Sequence, residues 1–126
     1  MRLLLDTDAL LWLLGGEDRL GASARESVEQ AETLAVSVAS LWEIAIKVSL
    51  GKLAPIPRLP QVIRTLGFER LGIDDGHLAA LQDLPHHHRD PFDRLLISQA
   101  SVERLTIVTA DSAFTGYAVP VLDARV

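Results

Sequence analysis

Four acidic residues, Asp6, Glu43, Asp93 and Asp111, each stand where a run of apolar residues meets a helix start or a turn. Carboxylates are hard oxygen donors, and a group of them brought together holds a divalent cation such as Mg2+ or Mn2+. A bound divalent cation neutralises charge and lowers the pKa of its water. Each acid also has an ordinary duty available. In "HRDPFDRLLISQA", residues 88–100, Asp90 suits an N-cap, Pro91 the first helical position and Asp93 the third, near the positive end of the helix dipole. Ser40 and Glu43 match the S-x-x-E capping box, and Glu43 precedes Lys47 by one helical turn. Asp6 and Asp111 suit helix or turn caps.

The segments that carry these acids alternate between strand and helix. "RLLL" (2–5) reads as a short buried strand ending at Asp6, with a helix over 9–14 that stops at Gly15-Gly16. A helix over about 22–32 begins near Gly21 or Ser23, a strand follows in "TLAVSVAS", and a helix runs from Ser40 to near Gly51. "APIPRLP" is a proline-punctuated loop, too short for a domain linker, with a short helix after it over 61–66. "FERLGI" is the third strand candidate, and Asp74 caps a helix over 75–83. Beyond the loop "LPHHHRDP", residues 91–104 are helical, "LTIVTAD" is a fourth buried strand and "AVPVLD" a fifth. This pattern predicts an α/β fold over a single domain, 1–126, with a mostly parallel sheet covered on both faces.

In such a sheet, strand ends and the helix starts that follow share one edge, where ligands bind. Carboxylates meeting there repel: at ~5 Å and an effective dielectric of ~20, each pair costs about 3 kcal/mol. Either the four acids are spread around the rim or a cation holds them, and the pattern favours convergence on a cation.

Composition limits the alternatives. The chain has 126 residues, 48% of them hydrophobic, and a mean hydropathy of +0.23, which predicts apolar surface covered by another chain. With no cysteine, disulfides and thiolate metal sites are excluded. Asp6 and Asp8 interrupt the apolar N-terminal stretch, and the run Ala9–Leu14 is too short to span a bilayer, so a soluble cytoplasmic protein without a membrane partner is expected. The net charge of −5 and pI near 5.2 argue against a protein that grips nucleic acid mainly by neutralising phosphate. Cations held by the acids answer that objection, because they make the site attractive to phosphate while the remaining surface discourages indiscriminate binding.

Several other residues border the expected edge. Lys47, Lys52, Arg89 and Arg94 are candidates for gripping a phosphate backbone, although solvated surface or ion pairing is the simpler reading of each. Thr7, Ser40 and Thr109 can orient metal-bound water or serve as caps. The run His86–His88 has no fourth ligand suitably spaced for zinc and reads as a solvated loop, with His88 toward the substrate rim. Trp12 and Trp42 lie among aliphatic residues in helices and are assigned to core or subunit contact.

The segments "LLLDTDALLWLL", "VSVASLWEIAIKVSLGKL", "LPHHHRDPFDRLLISQA" and "LTIVTADSAF" cover most of the chain, and in that order they resemble the PIN-domain ribonucleases, more narrowly the VapC-type toxins of toxin–antitoxin pairs. The resemblance implies a three-layer α/β/α sandwich with a parallel central sheet. It implies metal-binding acids at Asp6, Glu43, Asp93 and Asp111, with Mg2+ or Mn2+ as cofactor. It further implies cleavage of single-stranded RNA to a 3′-hydroxyl and a 5′-phosphate, a homodimer, and a cognate antitoxin whose inserted basic side chain occupies the acidic site. Asp90 matches a frequent acid just before the helix and keeps its N-cap role, with contact to metal-bound water as a lesser one. Close relatives often carry histidine where this chain has Asp8; capping the first helix, binding outer-sphere water and altering metal preference all remain open for it. Two rival readings share an acid after the first strand: a receiver-like phosphoacceptor domain and a haloacid-dehalogenase-like phosphatase. Both lack their later lysine here.

Overall fold

Leu3, Leu4 and Leu5 of strand β1 (Arg2–Leu5) are completely buried, because successive side chains enter opposite layers and both layers are covered. The computed structural model describes residues 1–126. After β1 come α1 (Thr7–Leu14), α2 (Ala22–Glu29), β2 (Thr33–Ser37), α3 (Val38–Ser49) and α4 (Leu59–Thr65). The chain continues through β3 (Glu69–Leu71), α5 (Asp75–Gln82), α6 (Pro91–Glu103), β4 (Thr106–Thr109), a 3-10 turn over Ser112–Gly116, and β5 (Val121–Asp123). The five strands pair in the order β3-β2-β1-β4-β5, and every pairing is parallel.

Period-two alternation divides the core into two layers. Leu3, Leu5, Val36 and Val108 face Leu10 of α1, Ala24 and Val28 of α2, and Ile63 of α4. Leu4, Ala35 and Ile107 face Leu96, Ile97 and Ala100 of α6, together with Phe114. The result is the expected α/β/α sandwich. Strand order reverses between β1 and β4, since the chain builds outward to β3 and then returns through α5 and α6. The C-terminal ends of β1 and β4 therefore form the crevice typical of ligand sites in open parallel sheets.

Two buried polar connections set helix positions. The Ser37 hydroxyl donates to Gln99 Oε1 at 2.6 Å, and Gln99 Nε2 donates to the Gly72 carbonyl at 3.0 Å, so α6 is tied to the ends of both β2 and β3. His77 is buried between α5 and α6: its Nδ1 accepts from the Asp74 N–H at 3.1 Å in a capping box, leaving Nε2 to donate to Glu103 Oε2 at 3.0 Å. The N–H groups of Gly21 and Ser23 donate to the carbonyls of Ala124 and Val126 at 2.8 and 2.9 Å, so residues 124–126 cap α2. A side chain at Gly21 would overlap the Val126 carbonyl. Gly21→Ala is expected to destabilise the protein by about 2 kcal/mol, read as a lower denaturation midpoint at unchanged slope.

Three expected helix starts are corrected. Helix α3 begins at Val38, and Ser37 is its N-cap, accepting from the Ala39 N–H at 3.0 Å. Ser40 and Glu43 therefore do not form a capping box. The last residue of β2 doubles as the cap, so the helix starts without a loop, and Glu43 falls in the second turn. Helix α1 begins at Thr7 rather than Ala9, with Asp6 and not Asp8 as its cap; α2 ends three residues before the expected boundary, and α4 begins at Leu59 rather than Gln61.

Candidate functional site

Asp6 directly follows β1 and caps α1: its Oδ1 accepts from the Ala9 N–H at 2.8 Å. Its Oδ2 accepts from the hydroxyl of Thr109, the last residue of β4, at 2.5 Å. The same Thr109 oxygen accepts from the Asp111 N–H at 3.0 Å, so one hydroxyl links the two strand ends. Asp111 in turn caps the 3-10 turn, with Oδ1 accepting from the Ala113 N–H at 2.9 Å. At α6, Asp90 Oδ1 accepts from the N–H groups of Phe92 and Asp93 at 2.8 and 3.2 Å, which fixes the first turn and delivers Asp93. Glu43 is gripped from both sides: the Thr7 hydroxyl donates to Oε1 at 2.6 Å, and Lys47 Nζ lies 3.1 Å from Oε2.

Asp6, Glu43, Asp93 and Asp111 line one cleft of about 240 Å3, shared with Thr7, Asp8, Lys47, His88 and Asp90 and without a hydrophobic side chain. Burial pushes the Asp6 carboxyl up to about 6; the bonds from Thr109 and Ala9 pull the other way, and the charges of Asp8 and Asp111 add to the rise. Burial, then the charges of Asp90, Asp6, Glu43 and Asp111, push Asp93 up to about 8. Burial opposes the Lys47 ammonium, yet the bond to Glu43 and the charges of Glu43, Asp8 and Asp90 outweigh it and raise its pKa. The cleft is thus crowded with negative charge that one ammonium does not balance.

A sign follows for stability. A carboxyl raised from 3.8 to about 8 binds its proton in the folded chain over a pH range where the unfolded chain has released it. Stability contributed at low pH is lost as pH rises toward about 8. In chelator, the melting temperature is expected to fall between pH 5 and pH 8, and saturating divalent cation should flatten that fall.

The donor set fits a divalent cation. Beside Lys47 and His88 its lining offers carboxylate and hydroxyl oxygens, and burial first, then neighbouring negative charge, raises Asp6 and Asp93, a cost that a cation relieves. Not every residue near the expected edge joins the cleft. Lys52 and Arg89 are exposed and absent from its lining. The Ser40 hydroxyl is buried without a protein partner, also outside the lining. Arg94 turns away: its guanidinium donates to the carbonyls of Leu84 and Pro85 at 3.2 and 2.8 Å, so it fastens the loop before α6 instead of presenting its charge to the cleft. Trp12 packs against the first core layer, whereas Trp42 is 58% exposed and edge-on to Phe92, with ring centroids 5.1 Å apart.

His88 is the residue that sequence reasoning underplayed. It turns out of the loop into the cleft: its Nε2 lies 3.0 Å from Asp93 Oδ2 and 3.0 Å from Asp111 Oδ2, and its side chain is 12% exposed. Three consecutive histidines hid which one turns inward. The available signal was its position two residues before the N-cap Asp90, a spacing that lets the ring accept from the cap's own N–H.

A family model for the PIN domain matches residues 3–120. The chain belongs to the PIN domain family. Among curated proteins it is similar to "Ribonuclease VapC22" of Mycobacterium tuberculosis, 29% identical over 116 residues, covering 86% of this chain and 85% of the relative. Among solved structures it is similar to FitAcB from Neisseria gonorrhoeae, with a TM-score of 0.75 at 21% identity over 97% of each chain. A toxin–antitoxin complex from Klebsiella pneumoniae gives a TM-score of 0.68 at 17% identity over 96% of each chain. At these identities the structural likenesses speak for the fold. The PIN assignment displaces both rival readings, and the receiver-like one also fails on topology: such sheets run 2-1-3-4-5, whereas this one runs 3-2-1-4-5. No helix is long and apolar enough to cross a membrane.

Proposed function

We propose that this PIN domain is a Mg2+- or Mn2+-dependent endoribonuclease, the toxin of a toxin–antitoxin pair, with Asp6, Glu43, Asp93 and Asp111 as its metal-binding and catalytic acids. The observation that carries the reading is the single cleft in which these four carboxylates meet at the β1–β4 crevice, with Asp93 pushed up to about 8. Family membership and the similarity to a protein named a ribonuclease support the reaction class. The likeness to a toxin–antitoxin complex supports a small protein partner, which would cover the apolar excess and place a basic side chain among the acids. A homodimer and a cytoplasmic location complete the reading.

A bound divalent cation supplies charge neutralisation, polarisation of the phosphoryl group and acidification of water. The chain's own residues prepare for it. Thr109 and the Ala9 N–H fix the Asp6 carboxylate, Thr7 and Lys47 fix Glu43, and Asp90 fixes the turn that carries Asp93. Such preorganisation matters because the carboxylates need not reorganise when substrate arrives. Lys47 keeps one positive charge at the cleft wall, where it can meet a phosphate. Hydrolysis adds water across the P–O3′ bond and leaves a 3′-hydroxyl and a 5′-phosphate. Asp8 stands exposed on the wall, within electrostatic reach of Asp6, as an outer-sphere acid.

The test is incubation with a pool of structured RNAs in Mg2+, Mn2+ or chelator, followed by mapping of the cut ends. Cuts confined to a few sites, dependent on metal and bearing 5′-phosphates are expected. Equal cutting in chelator, or none under any condition, contradicts the reading.

A further inference from the structure

His88 lines the cleft without a duty in the reaction proposed above, yet it is held on several sides. Its N–H donates to the Tyr117 hydroxyl at 2.7 Å, Arg94 donates to the His88 carbonyl at 3.4 Å, and the ring stands edge-on to Phe114 with centroids 5.4 Å apart. Nδ1 accepts from the Asp90 N–H at 3.2 Å, so this nitrogen is bare and the hydrogen of the neutral ring sits on Nε2. That hydrogen faces Asp93 Oδ2 and Asp111 Oδ2, each 3.0 Å away. Asp111 Oδ1 is already committed to the Ala113 N–H, which leaves Oδ2 as the oxygen open to a cation, and His88 is on it. A histidine that ligates through Nε2 needs the opposite tautomer, with Nδ1–H donating outward. Here an N–H points at Nδ1, so the ring is set to donate.

We infer that His88 is a built-in occupant of the cation position: its Nε2–H bridges Asp93 and Asp111 in the metal-free protein and competes with the cation for the same two oxygens. This rests on the metal site proposed above. The bridge holds the Asp93 and Asp111 side chains in place before metal arrives, and it lowers the affinity for metal by stabilising the metal-free form alone.

Calorimetric titration of Mg2+ or Mn2+ alone, without RNA, tests the competition. His88→Ala is expected to bind cation roughly tenfold more tightly than the parent, because a hydrogen bond to charged groups is removed only from the free state. His88→Leu, which retains packing against Phe114 but has no donor, carries the same expectation should the alanine variant prove too unstable to titrate. His88→Gln, whose amide N–H can reach the same oxygens, should stay near the parent. In chelator the alanine and leucine variants should melt lower than the parent, and cation should raise their melting temperatures by more. Weaker binding in both donor-free variants would make His88 a ligand, and unchanged binding a bystander; either overturns the inference. Asp93→Asn separates this from failure of the metal site itself. If that variant binds cation like the parent, the site is misplaced and both readings fall; if it loses binding while the donor-free variants gain none, the His88 inference falls alone.

Discussion

Asp93→Asn is expected to reduce RNA cleavage roughly a thousandfold or more while raising the melting temperature of the metal-free protein. The two effects have one cause. Asp93 is the acid most perturbed by its surroundings, pushed up to about 8 by burial and by four neighbouring carboxylates. An amide is nearly the same shape and leaves the Asp90 cap intact, because the cap uses the Asp93 backbone N–H and not its side chain. It removes a ligand for the cation and, with it, a charge that the folded chain pays to ionise near neutral pH. The stability gain in chelator at pH 8 is on the order of 2–4 kcal/mol; it should be smaller near pH 5 and vanish only below the unfolded carboxyl's 3.8, where both states hold the proton. Thermal melts of parent and variant at both pH values check the sign, and initial cleavage rates in Mg2+ check the activity. A variant that cuts at the parental rate removes Asp93 from the site.

Phe114→Ala carries the largest expected loss of stability, about 3–5 kcal/mol. Phe114 is fully buried in the layer beneath α6, and the 3-10 turn that holds it is the one capped by Asp111. Its ring also supports the His88 imidazole. Truncation therefore leaves a cavity where the core meets the cleft. The denaturation midpoint should drop with the slope unchanged, and cation affinity should drop with it as the turn bearing Asp111 loosens. A loss confined to stability, with cation affinity intact, would show that the turn keeps its geometry without the ring.

Strand ends were legible in the sequence because burial on both faces forces continuous apolar runs, and "RLLL" before Asp6 and "LTIVT" before Asp111 have no other economical reading. The start of α6 was legible for a local reason as well, since Asp90 and Pro91 carry the whole cap chemistry in adjacent residues. Helix α3 was misplaced because its cap, Ser37, is also the final residue of a strand, and a capping-box pattern three residues later offered a false start. What stayed hidden depends on contacts distant in sequence. The Thr109 hydroxyl between Asp6 and Asp111, the Ser37–Gln99–Gly72 connection and the close approach of Gly21 to Val126 are set by the sheet order, which no local pattern encodes. Arg94 flanks the expected edge in sequence and so is a candidate phosphate contact beside its simpler surface reading, but helical geometry sends the residue after Asp93 about 100° around the axis, here toward the loop carbonyls.

The central claim is that these carboxylates jointly hold a divalent ion at the crevice between β1 and β4. X-ray diffraction from crystals grown in Mn2+, collected to exploit the metal's anomalous scattering, reads this directly. The account predicts an anomalous peak in the cleft, with carboxylate oxygens of Asp93 and Asp111 in its coordination sphere and Asp6 and Glu43 facing it directly or through water. A fully occupied Mn2+ elsewhere on the protein, with the cleft holding none at saturating concentration, would contradict it.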